Sequence, residues 1–150
     1  DPKSVHAYVI GEHGDSEFVP WSTANIATKS ISDICKEHIK FSFEDMHAIE
    51  TRVRNSGESI ISFKGATCYG IGMALNCLTR TILSDEKTIL TPSCMLMGEY
   101  GRSGIYIGAP AIIGSNGVLE IIELRLNDEE KIKFANSCDF LTDVHKAVSV

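Results

Sequence analysis

The run GEHGDS at positions 11–16 places one histidine, His13, between Gly11 and Gly14, with Asp15 two residues further on. Imidazole is the side chain whose ordinary pKa lies closest to neutrality, so it can both give and accept a proton at working pH. Glycines on both sides let the backbone turn sharply and leave the ring exposed. The residues alone leave two readings open: an acid–base group offered to a substrate, or a turn histidine bonded to its own loop. Asp15 is expected to cap backbone amides of the turn rather than to partner His13, since a carboxylate at that offset reaches the loop's own N–H groups. His38, His47 and His145 stand in helical or loop contexts without paired ligand spacing. With neither an HExxH motif nor a Cys/His quartet in the sequence, no metal site is expected.

The elements that must hold this loop can be read on either side of it. Val5 to Ile10, VHAYVI, is rich in β-branched and aromatic residues, and EFVPW follows the polar hexapeptide, so the loop is expected to be carried by a hairpin-like pair of extended runs. From Ser42 to about Phe63 the pattern is helical. Ser42 and Asp45 form a capping pair, Phe43, Met46, Ile49 and Val53 an apolar stripe, and Gly57 is a point of interruption. A second helix is expected over Thr67 to Leu83, with Ile71, Leu75, Leu78 and Ile82 at helical spacing.

The stretch from Thr88 to Leu124 reads as three extended runs, TILTPSCMLM, GIYIGAPAII and VLEIIEL, joined by turns at Gly98 to Gly104 and at Gly114 to Gly117 into an antiparallel meander. A last helix starts after Asn127, with Asp128, Glu129 and Glu130 at its positive end, and Ile132, Ala135, Leu141, Val144 and Val148 as its buried side. Helices segregated from an antiparallel sheet define an α+β fold.

Composition narrows the function. With 150 residues, 43% hydrophobic and 23% charged, and no repeat or linker, residues 1–150 read as one soluble domain. The net charge of -6 and the lack of a Lys/Arg cluster exclude a nucleic-acid surface. No apolar stretch reaches bilayer length. Five irregularly spaced cysteines read as small buried apolar residues in a reducing compartment, which makes the cytoplasm the expected location.

GEHGDSEFVPWS at 11–22 resembles the active-site segment of the L-lactate dehydrogenases, and KGATCYGIGMAL at 64–75 resembles their second substrate-contacting segment. The similarity runs through GIYIGAPAIIGSNGVLEIIEL to the final helix, in the family's order, and identifies the chain as the C-terminal, substrate-binding domain of that family, of bacterial type. The resemblance implies that His13 exchanges the proton when a hydride moves between NAD and pyruvate or L-lactate. Thr67 corresponds to the threonine that borders the methyl end of the substrate, where the residue alone would read as a helix cap. Ile71 resembles the apolar residue packed against the nicotinamide ring, where the pattern alone would read it as core.

His6 matches a histidine of the dehydrogenases that fructose 1,6-bisphosphate activates allosterically. The arginine that works with it is absent here, and a strand histidine without a ligand is the alternative. The same resemblance implies a homotetramer active in glycolysis.

Related malate dehydrogenases share the HGD core but usually carry glycine where this chain has Glu12, and they lack the Val-Pro-Trp-Ser run. Malate or another 2-hydroxy acid stays as the alternative substrate class, and an assembly or effector-binding module as the alternative to an enzyme. No GxGxxG occurs, and GIGMAL lies in a helical pattern, so NAD is expected to be held mainly by another domain. The family's carboxylate-clamping arginine, mobile arginine loop and histidine-pairing aspartate also lie upstream of these residues. The 150 residues by themselves are expected to be inactive.

Overall fold

The computed structural model describes residues 1–37 and 42–148, which leaves His38 outside the described residues. In chain order the elements are β1 (Val5–His6), β2 (Asn25–Ile26), β3 (Lys29–Ser30), α1 (Ile31–Glu37), α2 (Phe43–Arg54), α3 (Ser56–Lys64) and α4 (Tyr69–Leu83). They continue as β4 (Thr88–Leu90), β5 (Ser93–Met97), β6 (Ser103–Gly108), β7 (Ala111–Gly114), β8 (Gly117–Ile121) and α5 (Asp128–Val148). The pairings β1–β2–β3, β4–β7–β8 and β5–β6 are all antiparallel, which makes this an α+β fold.

The three extended runs pair in the expected order, but two of them are broken. Pro92 separates β4 from β5, and Pro110 separates β6 from β7. The two breaks face each other, since Leu90 pairs with Ala111 and Ser93 with Gly108. Proline has no N–H to give a ladder, so matched prolines bend both chains at one level. The bend lets β5–β6 pack beneath α5 while β4–β7 packs against α4. One core gathers Ile10, Phe18, Leu96, Ile107, Leu126, Phe134 and Cys138; another gathers Cys94, Ala111 and Ile113 with Leu78, Ile82 and Leu90.

The helical stretch after Ser42 is two helices rather than one. The break falls at Asn55, where Ser56 Oγ donates back to the Arg52 carbonyl at 2.6 Å, a bond that bends helices. In α2, Met46 and Glu50 are buried, whereas Phe43 and Val53 stand largely exposed. The capping pair is present in full. Asp45 N donates to Ser42 Oγ at 3.2 Å and Ser42 N to the Asp45 carboxylate at 2.7 Å.

The Ser42 amide, and after it the Ser42 hydroxyl that donates to the same carboxylate at 2.9 Å, hold the Asp45 carboxyl below its ordinary value. A depressed carboxyl stabilises the fold above the ordinary carboxylate range, and that contribution disappears as pH falls through the depressed value. Ser42→Ala removes the capping hydroxyl but keeps the amide, so it is expected to lower stability at neutral pH by about 1 kcal/mol, the usual loss of an N-cap, and to flatten the acid limb of the unfolding curve only in part. Thermal melts across the acid range check both effects.

The buried side of α5 also differs from the expected one. Ile132 and Val148 are 62% and 73% exposed, and Phe134, Ser137 and Cys138 face inward instead. The cause is polar. Glu130 is buried because its carboxylate takes the Ser22 amide at 2.9 Å, the Ser22 hydroxyl and the Asn127 amide at 3.0 Å, while Glu130 N donates to Asn127 Oδ1 at 2.9 Å. This reciprocal cap, tied to Ser22, sets the helix phase, and a count of apolar side chains misses it.

Candidate functional site

Ile10 and Phe18 are 1% and 2% exposed and belong to one core cluster, and their backbones exchange N–H···O bonds of 3.0 and 3.1 Å. Both ends of the intervening loop are thus sunk in apolar packing, and residues 12–16 have to project outward. Of the VHAYVI run, only Val5–His6 lies in a strand, paired with Asn25–Ile26. Ile10 and Gly11 instead form single bridges to Phe18 and Gly108. The chain leaves one sheet and crosses to another within four residues.

Gly11 is central to that crossing. Its φ of +100° is in the region that L side chains rarely adopt, and its N–H and carbonyl both bond Gly108, at 3.0 and 2.9 Å. A Cβ on Gly11 would stand 2.9 Å from Ser137 Oγ, and one on Gly108 would stand 2.9 Å from the Gly11 carbonyl oxygen. Ser137, buried on α5, accepts from Glu12 N at 2.6 Å and shares a 2.9 Å hydrogen bond with Ser16 Oγ. The carboxylate that closes the loop is Glu12, which takes the Ser16 amide at 3.2 Å and its hydroxyl at 2.5 Å. This corrects the role expected of Asp15, which is exposed and makes no hydrogen bond among the described residues.

His13 sits at the crest with its side chain fully exposed, and its Nδ1 lies 3.5 Å from a carboxylate oxygen of Glu17. Glu17 is itself anchored from behind. Arg54, at the end of α2, donates through Nη2 to the Glu17 carbonyl at 2.9 Å and to Glu50 Oε1 at 3.1 Å. Glu50 is buried on α2, and its other oxygen receives Trp21 Nε1 at 3.0 Å.

Thr67 and Ile71 occupy the second segment. Gly65, at φ +80°, ends α3 in a left-handed cap, and α4 begins after Cys68. Thr67 is exposed and caps nothing, since the N-cap position is Cys68 and makes no side-chain cap bond. Ile71 is 56% exposed and so is not core. Around it Phe63, Tyr69, Met73 and Leu75 also stand open, an apolar face of the size that normally awaits a partner surface. Lys64 Nζ lies 4.6 Å over the Tyr69 ring.

His6 is exposed in β1, across from Asn25. Among the described residues no hydrogen bond or ion pair joins His13, Thr67, Ile71 and His6 to one another. A concavity of about 470 Å³ among Tyr100, Arg102, Glu123 and Phe134 is lined by none of them. No group of metal-ligating side chains occurs among the described residues. All five cysteines are free; Cys94 and Cys138 are buried as expected, whereas Cys68 is exposed. Burial pushes the Cys94 and Cys138 thiols up.

Comparison with known proteins turns this geometry into kinship. The family model described as lactate/malate dehydrogenase, alpha/beta C-terminal domain, matches residues 1–149. The chain belongs to that family. L-lactate dehydrogenase 2 of Bacillus anthracis is 46% identical over 143 residues, covering 95% of this chain and 46% of the relative. L-lactate dehydrogenase of Bacillus pumilus is 47% identical over 141 residues, covering 94% and 45%. Among solved structures, the minor L-lactate dehydrogenase of Enterococcus mundtii in its ligands-bound form superposes with a TM-score of 0.94 at 39% identity, over 100% of this chain and 48% of that one. Lactate dehydrogenase from Eimeria maxima with NADH and oxamate gives 0.92 at 30%, over 99% and 47%. The chain thus spans about half the length of the relatives it matches, 46% in the first.

GIGMAL lies inside α4, so its glycines form no strand-to-helix turn, and Ile71 stands exposed in the first turn of that helix. Sequence reasoning missed Glu12, Glu50, Arg54 and Ser137. Arg54 and Glu50 carried a signal, the i,i+4 spacing of opposite charges on α2; Ser137, 121 residues from Ser16, carried none.

Proposed function

We propose that this chain is the proton-exchanging, substrate-contacting half of an NAD-dependent L-lactate dehydrogenase that interconverts pyruvate and L-lactate. The observation that carries the reading is His13: a fully exposed imidazole on a loop pinned at both ends, in a chain 47% identical to an L-lactate dehydrogenase over 94% of its length. The nicotinamide, when bound, supplies or takes the hydride. As hydride reaches the keto carbon of pyruvate, negative charge builds on its oxygen, and protonated His13 stabilises that charge and gives up its proton to form the hydroxyl. In the reverse direction neutral His13 removes the hydroxyl proton of lactate. Thr67 would border the methyl group of the substrate and Ile71 the nicotinamide ring.

The open apolar face around Phe63, Tyr69 and Ile71 supports a whole enzyme in which a dinucleotide-binding half or another subunit covers α3 and α4. A homotetramer fits that surface. Two copies of His6 meeting across a symmetry axis would hold the phosphates of fructose 1,6-bisphosphate. Five free cysteines fit a reducing cytoplasm.

Purified 1–150 is expected to show no pyruvate-dependent NADH oxidation, and the full-length dehydrogenase to show it with pyruvate preferred over oxaloacetate and 2-oxoisocaproate. Turnover by 1–150 alone would overturn the division of labour. Preference for oxaloacetate would overturn the substrate.

A further inference from the structure

We infer that Ser137 of α5 is a positioning residue for His13, acting through a ring of hydrogen bonds with Glu12 and Ser16; the inference deepens the proton-exchanging reading of His13 and rests on it. Ser137 is 0% exposed, and its hydroxyl meets residues 125 and 121 positions away, Glu12 and Ser16. A hydroxyl has one proton to give and lone pairs to receive others, so the direction of each bond follows from the group at the end of the chain. The Glu12 carboxylate can only accept, and Ser16 Oγ donates to it at 2.5 Å. With that proton committed, the 2.9 Å bond between the two serines takes its proton from Ser137. Ser137 in turn accepts from the Glu12 amide at 2.6 Å. The ring therefore starts and ends on Glu12: its amide to Ser137, Ser137 to Ser16, Ser16 to its carboxylate. Every bond points the same way around, which strengthens each, and the charged acceptor at the end adds to that.

This ring brackets the histidine, and none of its bonds involves the imidazole. Glu12 precedes His13 and Ser16 follows it, while Gly14 N donates to the Glu12 carbonyl at 2.9 Å between them. The Ser16 amide gives the same carboxylate a further bond at 3.2 Å. That carboxylate lies so close over Gly14 that a Cβ there would collide with Oε1. Residues 12, 14 and 16 are each held, which leaves the backbone of His13 little room to move. The support beneath is rigid as well. Phe134 and Cys138, neighbours of Ser137 on the buried side of α5, share one core cluster with Ile10 and Phe18, the roots of the loop. The Ser137 oxygen is thereby set at one height under the loop, and Gly11, where a Cβ would stand 2.9 Å from it, permits the close approach. Removing that oxygen leaves the Glu12 amide without its acceptor and Ser16 without its donor. The segment that carries His13 then has to shift to replace them.

The test uses the full-length dehydrogenase with Ser137→Ala, made both alone and together with His13→Gln. Ser137→Ala alone is expected to lower kcat for pyruvate reduction by about 10-fold while KM and NADH affinity stay within about two-fold, because misplacing a reacting group by on the order of 1 Å costs up to about 10²-fold in rate. In the His13→Gln background the same substitution should change kcat by less than about two-fold, since residues that act through one another are not additive. A merely structural role would give the same loss in both backgrounds. Thr81→Val supplies the matched control: it removes another fully buried hydroxyl, one that donates to Glu86 at 3.0 Å and not to the loop, and should leave kcat within about two-fold. An unchanged kcat in Ser137→Ala overturns the inference, as does a loss that persists in the His13→Gln background or is matched by Thr81→Val. Should Ser137→Ala fail to fold, Ser16→Ala opens the same ring from the loop side and decides. A loss of kcat of about three-fold or more that vanishes with His13→Gln then supports the inference, and any other result overturns it. If His13→Gln itself keeps full activity, the failed statement is the role of His13; if it is inactive while Ser137→Ala is normal, only the positioning role fails.

Discussion

Pyruvate reduction by the full-length dehydrogenase is expected to fall about 10³-fold when His13 becomes glutamine, within the range that a positioned acid–base group contributes. Glutamine keeps a polar side chain of similar reach and removes the exchangeable ring proton. Because His13 is fully exposed and its Glu17 contact is a lone pair at 3.5 Å, its loss removes no core packing and should leave the thermal midpoint nearly unchanged. NADH affinity, followed by fluorescence, should hold as well, since no residue assigned to the nicotinamide touches the loop. The proposal is wrong if the glutamine variant turns over within ten-fold of the parent. A loss of activity matched by a loss of folded protein would instead make the histidine a structural member of its turn.

The second large effect lies at a glycine. At Gly108 a methyl group would come within 2.9 Å of the Gly11 carbonyl oxygen, an atom of rigid backbone that already bonds the Gly108 amide. Neither strand can yield easily. Ile10 and Ile107, one residue to either side of that bridge, are 1% and 0% exposed in the same core cluster. Gly108→Ala is therefore expected to cost about 2–3 kcal/mol, the range of an overpacked core position. The thermal midpoint should fall by roughly 5–10 °C.

The substitution also pushes directly on the residue that opens the His13 loop, so kcat of the full-length enzyme should drop with stability. Gly57 in α3 provides the contrast, since a Cβ there meets nothing within 4 Å. Gly57→Ala should stabilise by about 0.5–1 kcal/mol through the helix preference of alanine alone. Equal effects at the two glycines would show that the close approach of residues 11 and 108 does not constrain the loop.

Much of the fold is legible in local pattern. The Ser42–Asp45 cap, the start of α5 after Asn127 and the order of the three extended runs are each specified by residues a few positions apart, and each is found where that chemistry puts it. The misses have one cause. Ile132 looks inward by spacing and Ser137 does not, yet Ser137 is buried because a loop 121 residues upstream needs an acceptor. Asp15 looks like the loop cap, but the reach of Glu12 to Ser16 and the place of its amide against Ser137 assign that role to the other carboxylate.

The sequence by itself determined which side chain could exchange a proton, where the backbone could turn beneath it, and to which family the chain is akin, since these depend on residue type and short-range spacing. Tertiary structure alone decided what holds that histidine out: the Gly11–Gly108 contact, Ser137 beneath the loop, and the Glu50–Arg54 pair behind Glu17. These are meetings of polar groups from distant segments. Hydrogen bonding depends on distance and direction at scales that no periodicity along the chain encodes.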